Sequence, residues 1–430
     1  MKISTQVRES SHSVANALIG PLSKGLGVLD GPLTPSEISN LGWNLLREDL
    51  SLPTAVLYED KLAHNLEWMQ KFADAYGAKL APHGKTTMAP KLFARQLNAG
   101  AWGITMATAL HTRVAYEHGV RRVLMANQLV GRQNMALVSR LLRDPEFEFF
   151  CLVDSAEQTE MLGRYFQAQG QRLNVLIEVG VQDGRTGIRN RDQLKALLAA
   201  LSSWKKQIAL CGVEVFEGVL NDEASVRALL QNAVDLATEL AREQRFDRDT
   251  FILSGAGSAW YDIVAEVFCK SKFATEVEVI LRPGCYLTHD VGVYQDAQQR
   301  IMGRDVVAQR LAPGLMPALG LWTYVQSVPE KDRAIIALGK RDAAFDAGLP
   351  VPTQLFRPGN ASPIPTANSW KLTRMMDQHA FMETAEGADL HIGDMIGFQI
   401  SHPCLTFDKW RYLAVLDSHY QVIDIVETFF

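Results

Sequence analysis

Short apolar runs and amphipathic helical patterns alternate from residue 53 to residue 281, and no other feature constrains the fold as much. Strand-like runs fall at 53–58, 78–81, 102–106, 122–126, 147–153, 174–179, 209–215, 250–253 and 277–281. Helical patterns separate most of them, at 59–76, 89–97, 111–118, 135–142, 156–169, 191–204, 223–244 and 259–269. Repetition of this kind means a parallel sheet wrapped by helices. Nine runs fit a (β/α)8 TIM-like barrel plus one strand that belongs elsewhere. An open doubly wound sheet is the alternative, but the first turn, Tyr58-Glu59-Asp60-Lys61, lacks the glycine-rich fingerprint such sheets usually carry.

Beyond residue 290 the pattern changes. Helical periodicity nearly stops, apart from a short stretch at 370–376, and strand-like runs appear at 320–327, 334–338, 395–400, 412–416 and 422–426. The proline-rich stretch 350–365 reads as a loop. The expected division is a leader over 1–50 that packs on the β domain, a barrel over 51–290 and a mainly β C-terminal domain over 291–430. In the leader, Thr34-Pro35-Ser36-Glu37 carries a helix start, with Thr34 as N-cap and Glu37 three residues on. With 430 residues, the chain is long enough for a barrel of about 250 residues and a second domain.

Composition narrows the partners. The net charge is -5 and no basic block stands out, which argues against nucleic acid. No apolar run approaches the roughly 18 residues of a membrane span, and the polar segment 1–14 does not read as a signal peptide. Five scattered cysteines point to a reduced, cytoplasmic protein.

Pro82-His83-Gly84-Lys85-Thr86 follows the second strand-like run, so Lys85 is expected at the carboxyl end of a barrel strand, where such folds keep their chemistry. Alone, Lys85 reads as a surface lysine on a turn. Two glycine turns reverse that reading. Ser254-Gly255-Ala256-Gly257-Ser258 joins a late strand to a helix, and its small residues let backbone N–H groups approach an anion. Arg282-Pro283-Gly284-Cys285-Tyr286 follows the final strand-like run. A strand-end lysine with phosphate-type turns at the last strands suits pyridoxal 5'-phosphate (PLP), whose aldehyde condenses with a lysine amine. His83 lies beneath that cofactor or stabilises the turn. In the C-terminal half, His402 and Cys404 offer two zinc-type donors, facing the same way if the backbone is extended. Two donors make an open metal site at most, and a bare His-x-Cys taken alone reads as a buried cysteine beside an edge-strand histidine.

These residues carry a resemblance. Pro82-His83-Gly84-Lys85-Thr86 resembles the Pro-His-x-Lys-Thr motif of the D-serine dehydratase and D-threonine aldolase group, within the alanine-racemase-type (fold type III) PLP enzymes. Glu178-Val179-Gly180 with Gly184-Arg185-Thr186-Gly187 resembles the group's Glu-x-Asp-x-Gly-x-x-Arg-x-Gly stretch, and Arg282-Pro283-Gly284-x-Tyr286, then Asp290, its Arg-Pro-Gly-x-Tyr stretch. The resemblance runs from about Leu52 to the C-terminus. It departs at Gly180, where the group has aspartate, and at Gln182, where glycine is common. It implies a barrel with a C-terminal β domain, usually as a homodimer with shared active sites. It implies Lys85 as the cofactor lysine, Arg185 near the pyridine ring, and Gly255, Gly257, Ser258, Gly284 and Tyr286 around the phosphate. Dehydratases of the group resemble this chain in carrying His-x-Cys where aldolases carry His-x-Asp. The resulting expectation is a PLP- and zinc-dependent dehydratase of a 3-hydroxy D-amino acid, D-serine first, releasing an oxo acid and ammonia. A D-threonine-type aldolase, a racemase on the same scaffold and a non-catalytic PLP carrier are the alternatives.

Overall fold

The computed structural model describes residues 18–430. The parallel strands are β2 (Lys79–Leu80), β3 (Ile104–Met106), β4 (Arg122–Gln128), β5 (Glu148–Val153), β6 (Leu173–Val179), β7 (Ile208–Val215), β8 (Phe251–Gly255) and β9 (Val277–Leu281). Their order is β2-β9-β8-β7-β6-β5-β4-β3. The ring closes between its ends. Thr105 pairs in parallel with His83, and the Trp102 and Thr105 N–H groups donate to Leu80 O at 2.6 Å and Pro82 O at 2.9 Å.

The barrel interior holds Trp102, Leu124, Phe150, Leu176, Ile252 and Ile280 among others. Alternate strand residues face outward into a larger core under the helices, as the two-residue period requires. Gly212 lets β7 and β8 meet closely, since a Cβ there would fall 2.0 Å from Ile252 O.

The supernumerary strand is β1 (Thr54–Tyr58). It lies in the second sheet, antiparallel to β10 (Leu319–Glu330) with Val56 opposite Gly320. On its other side it runs parallel to β17 (Tyr412–Leu416), Val56 opposite Ala414. The first strand of the chain thus enters the C-terminal sheet before the barrel begins. Residues Ile19, Leu26, Leu29, Ile38 and Leu45 share a core with Val56, Trp322 and Ile425 of that sheet. Thr34 caps its helix with the expected reciprocal capping box to Glu37.

Several expectations fail. Residues Val293–Arg304 and Val306–Arg310 are helical, where helical patterns were expected to stop. The stretch expected to be a loop contains β12 (Val351–Phe356) and β13 (Ile364–Pro365). The short helical expectation at 370–376 is β14 (Lys371–Met375), hairpinned to β15 (Ala380–Glu383) and through it to β11 (Arg333–Ile336). The sheet is completed by β16 (Met395–Gln399) and β18 (Val422–Glu427). The polar segment 1–14 lies outside the described residues.

Candidate active site

Lys85 stands where β2 delivers it. Past Leu80 the chain passes buried Ala81 and Pro82 and enters a single turn, Gly84–Thr86. Gly84 is needed because a Cβ would press Met106 Cε at 2.7 Å. The tight turn buries Thr86 and leaves Lys85 exposed at the barrel mouth. His83 is half-buried, and its Nδ1 has no hydrogen-bond partner. Burial first, then the charges of Lys85 and Arg282, hold His83 well below the usual imidazole range, so its ring is neutral at neutral pH. Burial and then Lys85 lower His111 too, which places it within reach of the lysine's charge.

The two glycine turns meet beside this lysine. At Gly284 a Cβ would fall 2.4 Å from Thr86 Oγ1 and 2.8 Å from His83 O, so the turn after β9 presses on the lysine turn. Ser258 Oγ accepts from Cys285 N at 3.1 Å and ties the other turn to it. Gly255, Gly257, Ser258 and Gly284 therefore lie together.

The cradle differs from expectation in one respect. The Ala256 and Gly257 N–H groups already donate to the Glu217 carboxylate, at 3.1 and 2.6 Å. Glu217 is fully buried, and burial raises its pKa against the help of these bonds. Like charges repel, so an anion at this turn would lie beyond Gly257, toward Ser258 and the helix Tyr261–Lys270. Tyr286 follows Cys285 on the turn after β9. Its ring is 3% exposed and its hydroxyl accepts from Gln96 at 3.2 Å, on the helix after the lysine turn. Arg282 is also internal. It pairs with buried Glu214 and donates to Ser254 Oγ at 3.0 Å. Burial pushes Glu214 up to about 8, opposed by Arg282.

Arg185 lies over the Phe216 ring, 4.2 Å from its centroid, in a cleft lined by Glu178, Gly180, Thr186 and Val219. Glu178 accepts from Thr186 Oγ1 at 2.7 Å and Gln128 Nε2 at 2.5 Å, which holds the end of β6 to the turn that carries Arg185. The structure explains the Gly180 departure. Arg189 fills the space a side chain would need, since a Cβ at Gly180 would fall 1.7 Å from its Nη1. That nitrogen donates to Thr186 O and Gly187 O, both at 2.6 Å. A guanidinium thus braces this turn where the related motif has a carboxylate.

His402 and Cys404 are not on a strand. The Pro403 backbone is αR (φ -59°, ψ -47°) and starts the short helix Cys404–Phe407, so alternation does not align them. They are brought together by that turn. The Cys285 thiol first, then His402 and Thr86, hold Cys404 near a pKa of about 4 against the cost of burial. Cys404, and Asp346 behind it, raise His402 to about 9, again against burial. The two shifts run in opposite directions, so each side chain favours the charged form of the other. Asp346 Oδ2 accepts from His402 Nδ1 at 2.8 Å, which orients the ring with Nε2 as the nitrogen left for Cys404 or a metal. Carboxylate-oriented imidazole and thiolate are zinc-type donors, so this pair suits a divalent soft-to-borderline ion. Thr86 Oγ1, adjacent to Lys85, is 3.6 Å from Cys404 Sγ, so the donors adjoin the lysine turn.

Sequence reasoning did not reach Glu217, Arg189, Phe216 or Asp346. Each acts through a contact made only in the folded chain, and none carries a local signal. Cys285 was quoted only as the free position of a motif.

Comparison with known proteins agrees with this geometry. The alanine racemase N-terminal domain model matches residues 58–287, more than half of the chain. The chain belongs to this family. The resemblance to alanine-racemase-type PLP enzymes read from Lys85 and its turns therefore holds, and so does a TIM-like barrel with an appended mainly β domain. A serine dehydratase domain model matches 318–416 of the same family member. A D-threonine aldolase of Arthrobacter is 25% identical over 372 residues, covering 85% of this chain and 88% of the aldolase. A D-threo-3-hydroxyaspartate dehydratase of Delftia is 29% identical over 150 residues, 35% of this chain and 39% of that enzyme. Among solved structures, a D-threo-3-hydroxyaspartate dehydratase with one cysteine changed to alanine, in a metal-free form, shares the fold. Its TM-score is 0.68 at 20% identity, over 90% of this chain and 99% of that one.

Proposed function

We propose that this family member is a PLP- and zinc-dependent lyase of 3-hydroxy D-amino acids, and more narrowly a dehydratase, with D-serine the first substrate to test. One observation carries the reading. A thiolate–imidazole pair on the β domain adjoins the turn that holds Lys85 on the barrel. Lys85 and the two candidate donors would thus share one site built from both domains. PLP when bound supplies an electron sink for the bond broken at Cα. A zinc ion on His402 and Cys404 would supply the Lewis acid that turns a substrate hydroxyl into a better leaving group.

The chain's own groups do the rest. Lys85 Nζ, exposed at the mouth, would hold the cofactor aldehyde and then take the Cα proton. Arg185, backed by Phe216, would face the ring. Gly255, Gly257, Ser258 and Gly284 would admit the phosphate next to Ser258, with Glu217 holding the turn closed. Neutral His83, packed under the turn, would keep its orphaned Nδ1 toward the site.

A D-threonine-type aldolase is the second reading, because a relative covering 85% of this chain bears that name. The thiol at position 404 favours the dehydratase. A racemase would need a second base across the ring, and a PLP carrier would not need the metal pair. We further expect a cytoplasmic homodimer. All five cysteines are free, and among the described residues no helix is long and apolar enough to cross a membrane.

Full-length protein loaded with PLP and zinc, tested on D-serine, D-threonine and 3-hydroxy-D-aspartate, should release ammonia. Chelation or Cys404→Ala should cut that release by about 10²-fold or more, the scale of a lost transition-state electrophile. Full turnover without metal would remove zinc from the account. Metal-dependent aldehyde without ammonia would assign the aldolase reaction instead.

A further inference from the structure

The turn after β9 places a second thiol at the metal pair. Cys285, 4% exposed, has its Sγ 3.8 Å from Cys404 Sγ. Two thiolates bound to one tetrahedral zinc at about 2.3 Å each stand about 3.8 Å apart. The two sulfurs therefore already span one edge of a zinc tetrahedron. Cys285 is also held in place, since its N–H donates to Ser258 Oγ and the adjoining Gly284 is packed against His83 and Thr86. Catalytic zinc sites keep three protein donors and one open position, and His402 with Cys404 supply only two.

We propose that Cys285 is the third protein ligand, making a Cys285–His402–Cys404 set with one position open to substrate or water. This rests on the metal reading given above. Among the described residues no three His, Cys, Asp or Glu side chains stand preassembled as a metal cage. The ion itself completes the set, displacing the Cys285 thiol proton and the proton on the coordinating His402 nitrogen to solvent as it binds. Cys285 comes from the barrel and the other two donors from the β domain, so the ion would bridge the domains beside the phosphate turn.

Cobalt(II) and zinc report this directly. In the full-length protein, cobalt(II) should give the near-ultraviolet thiolate charge-transfer absorbance of two sulfurs. Cys285→Ser should halve it and weaken zinc binding by about 10–100-fold or more, judged by chelator competition. Cys404→Ala should also lose one sulfur. Zinc X-ray absorption on the unaltered protein counts sulfurs without any variant, and two sulfurs support the proposal. One sulfur, or a Cys285→Ser protein whose absorbance and affinity match the parent while Cys404→Ala loses both, overturns the third ligand and keeps the pair. No thiolate absorbance in the parent protein overturns the metal reading, and this proposal with it.

Discussion

Lys85→Ala should leave a folded protein that has lost the visible absorbance of lysine-bound cofactor and whose lyase turnover has fallen by about 10³-fold or more. The size follows from two losses at one atom. Nζ would anchor the cofactor, and the same amine would move the Cα proton, a task worth about 10² to 10⁴ on its own. Folding should be spared because the side chain is exposed while its turn is held by Gly84, Thr86 and Gly284. Circular dichroism and thermal melting should match the parent protein. A variant that keeps a tenth of the parent turnover would show that another residue moves the proton. His111, which lies within reach of the lysine's charge, would then be the first to examine.

Phe150→Ala should have the largest effect on stability, about 3–5 kcal/mol. Phe150 is 0% exposed inside the barrel, with its ring centroid 5.7 Å from that of Trp102. The Arg248 guanidinium lies 5.4 Å over its face. Strand geometry fixes these neighbours, so the barrel cannot collapse into the space a lost ring would leave. Urea unfolding should move to a lower midpoint, with cofactor loss following the same transition. A cost below about 1 kcal/mol would mean the barrel interior is not packed around this ring.

The barrel was legible because each strand is a buried apolar run bounded by a helix with one buried face. The helices at 59–76 and 156–169 occur at the expected positions. The destination of the first run was not legible. Thr54–Tyr58 resembles the other strands locally, and only its pairing with Leu319–Trp322 and Val56–Tyr58 with Ala414–Leu416 sends it to the second sheet. The missed helix Val293–Arg304 buries only Ala297, Gln298 and Ile301, too few to mark a face. In β12, prolines hid a strand. Pro352 is tolerated because the register shifts between it and Gln354.

At the site, residues read from local turns came together, namely Lys85, His83, Gly257, Ser258 and Gly284. Tyr286, two residues past Gly284, is packed in the core with its hydroxyl on Gln96. His402 and Cys404 meet for a different reason than alternation, through the turn at Pro403. Glu217 and Asp346 were invisible because a carboxylate aimed at a turn or a histidine has no sequence signature. Cys285 sat in a motif whose reading assigned it nothing.

The account turns on where the cofactor is attached. Borohydride reduction of the PLP-loaded protein, followed by peptide mapping, reads this directly. The label should fall on Lys85, in the peptide that carries Pro82-His83-Gly84-Lys85-Thr86. A label on any other lysine, or a protein that binds no PLP, would contradict it.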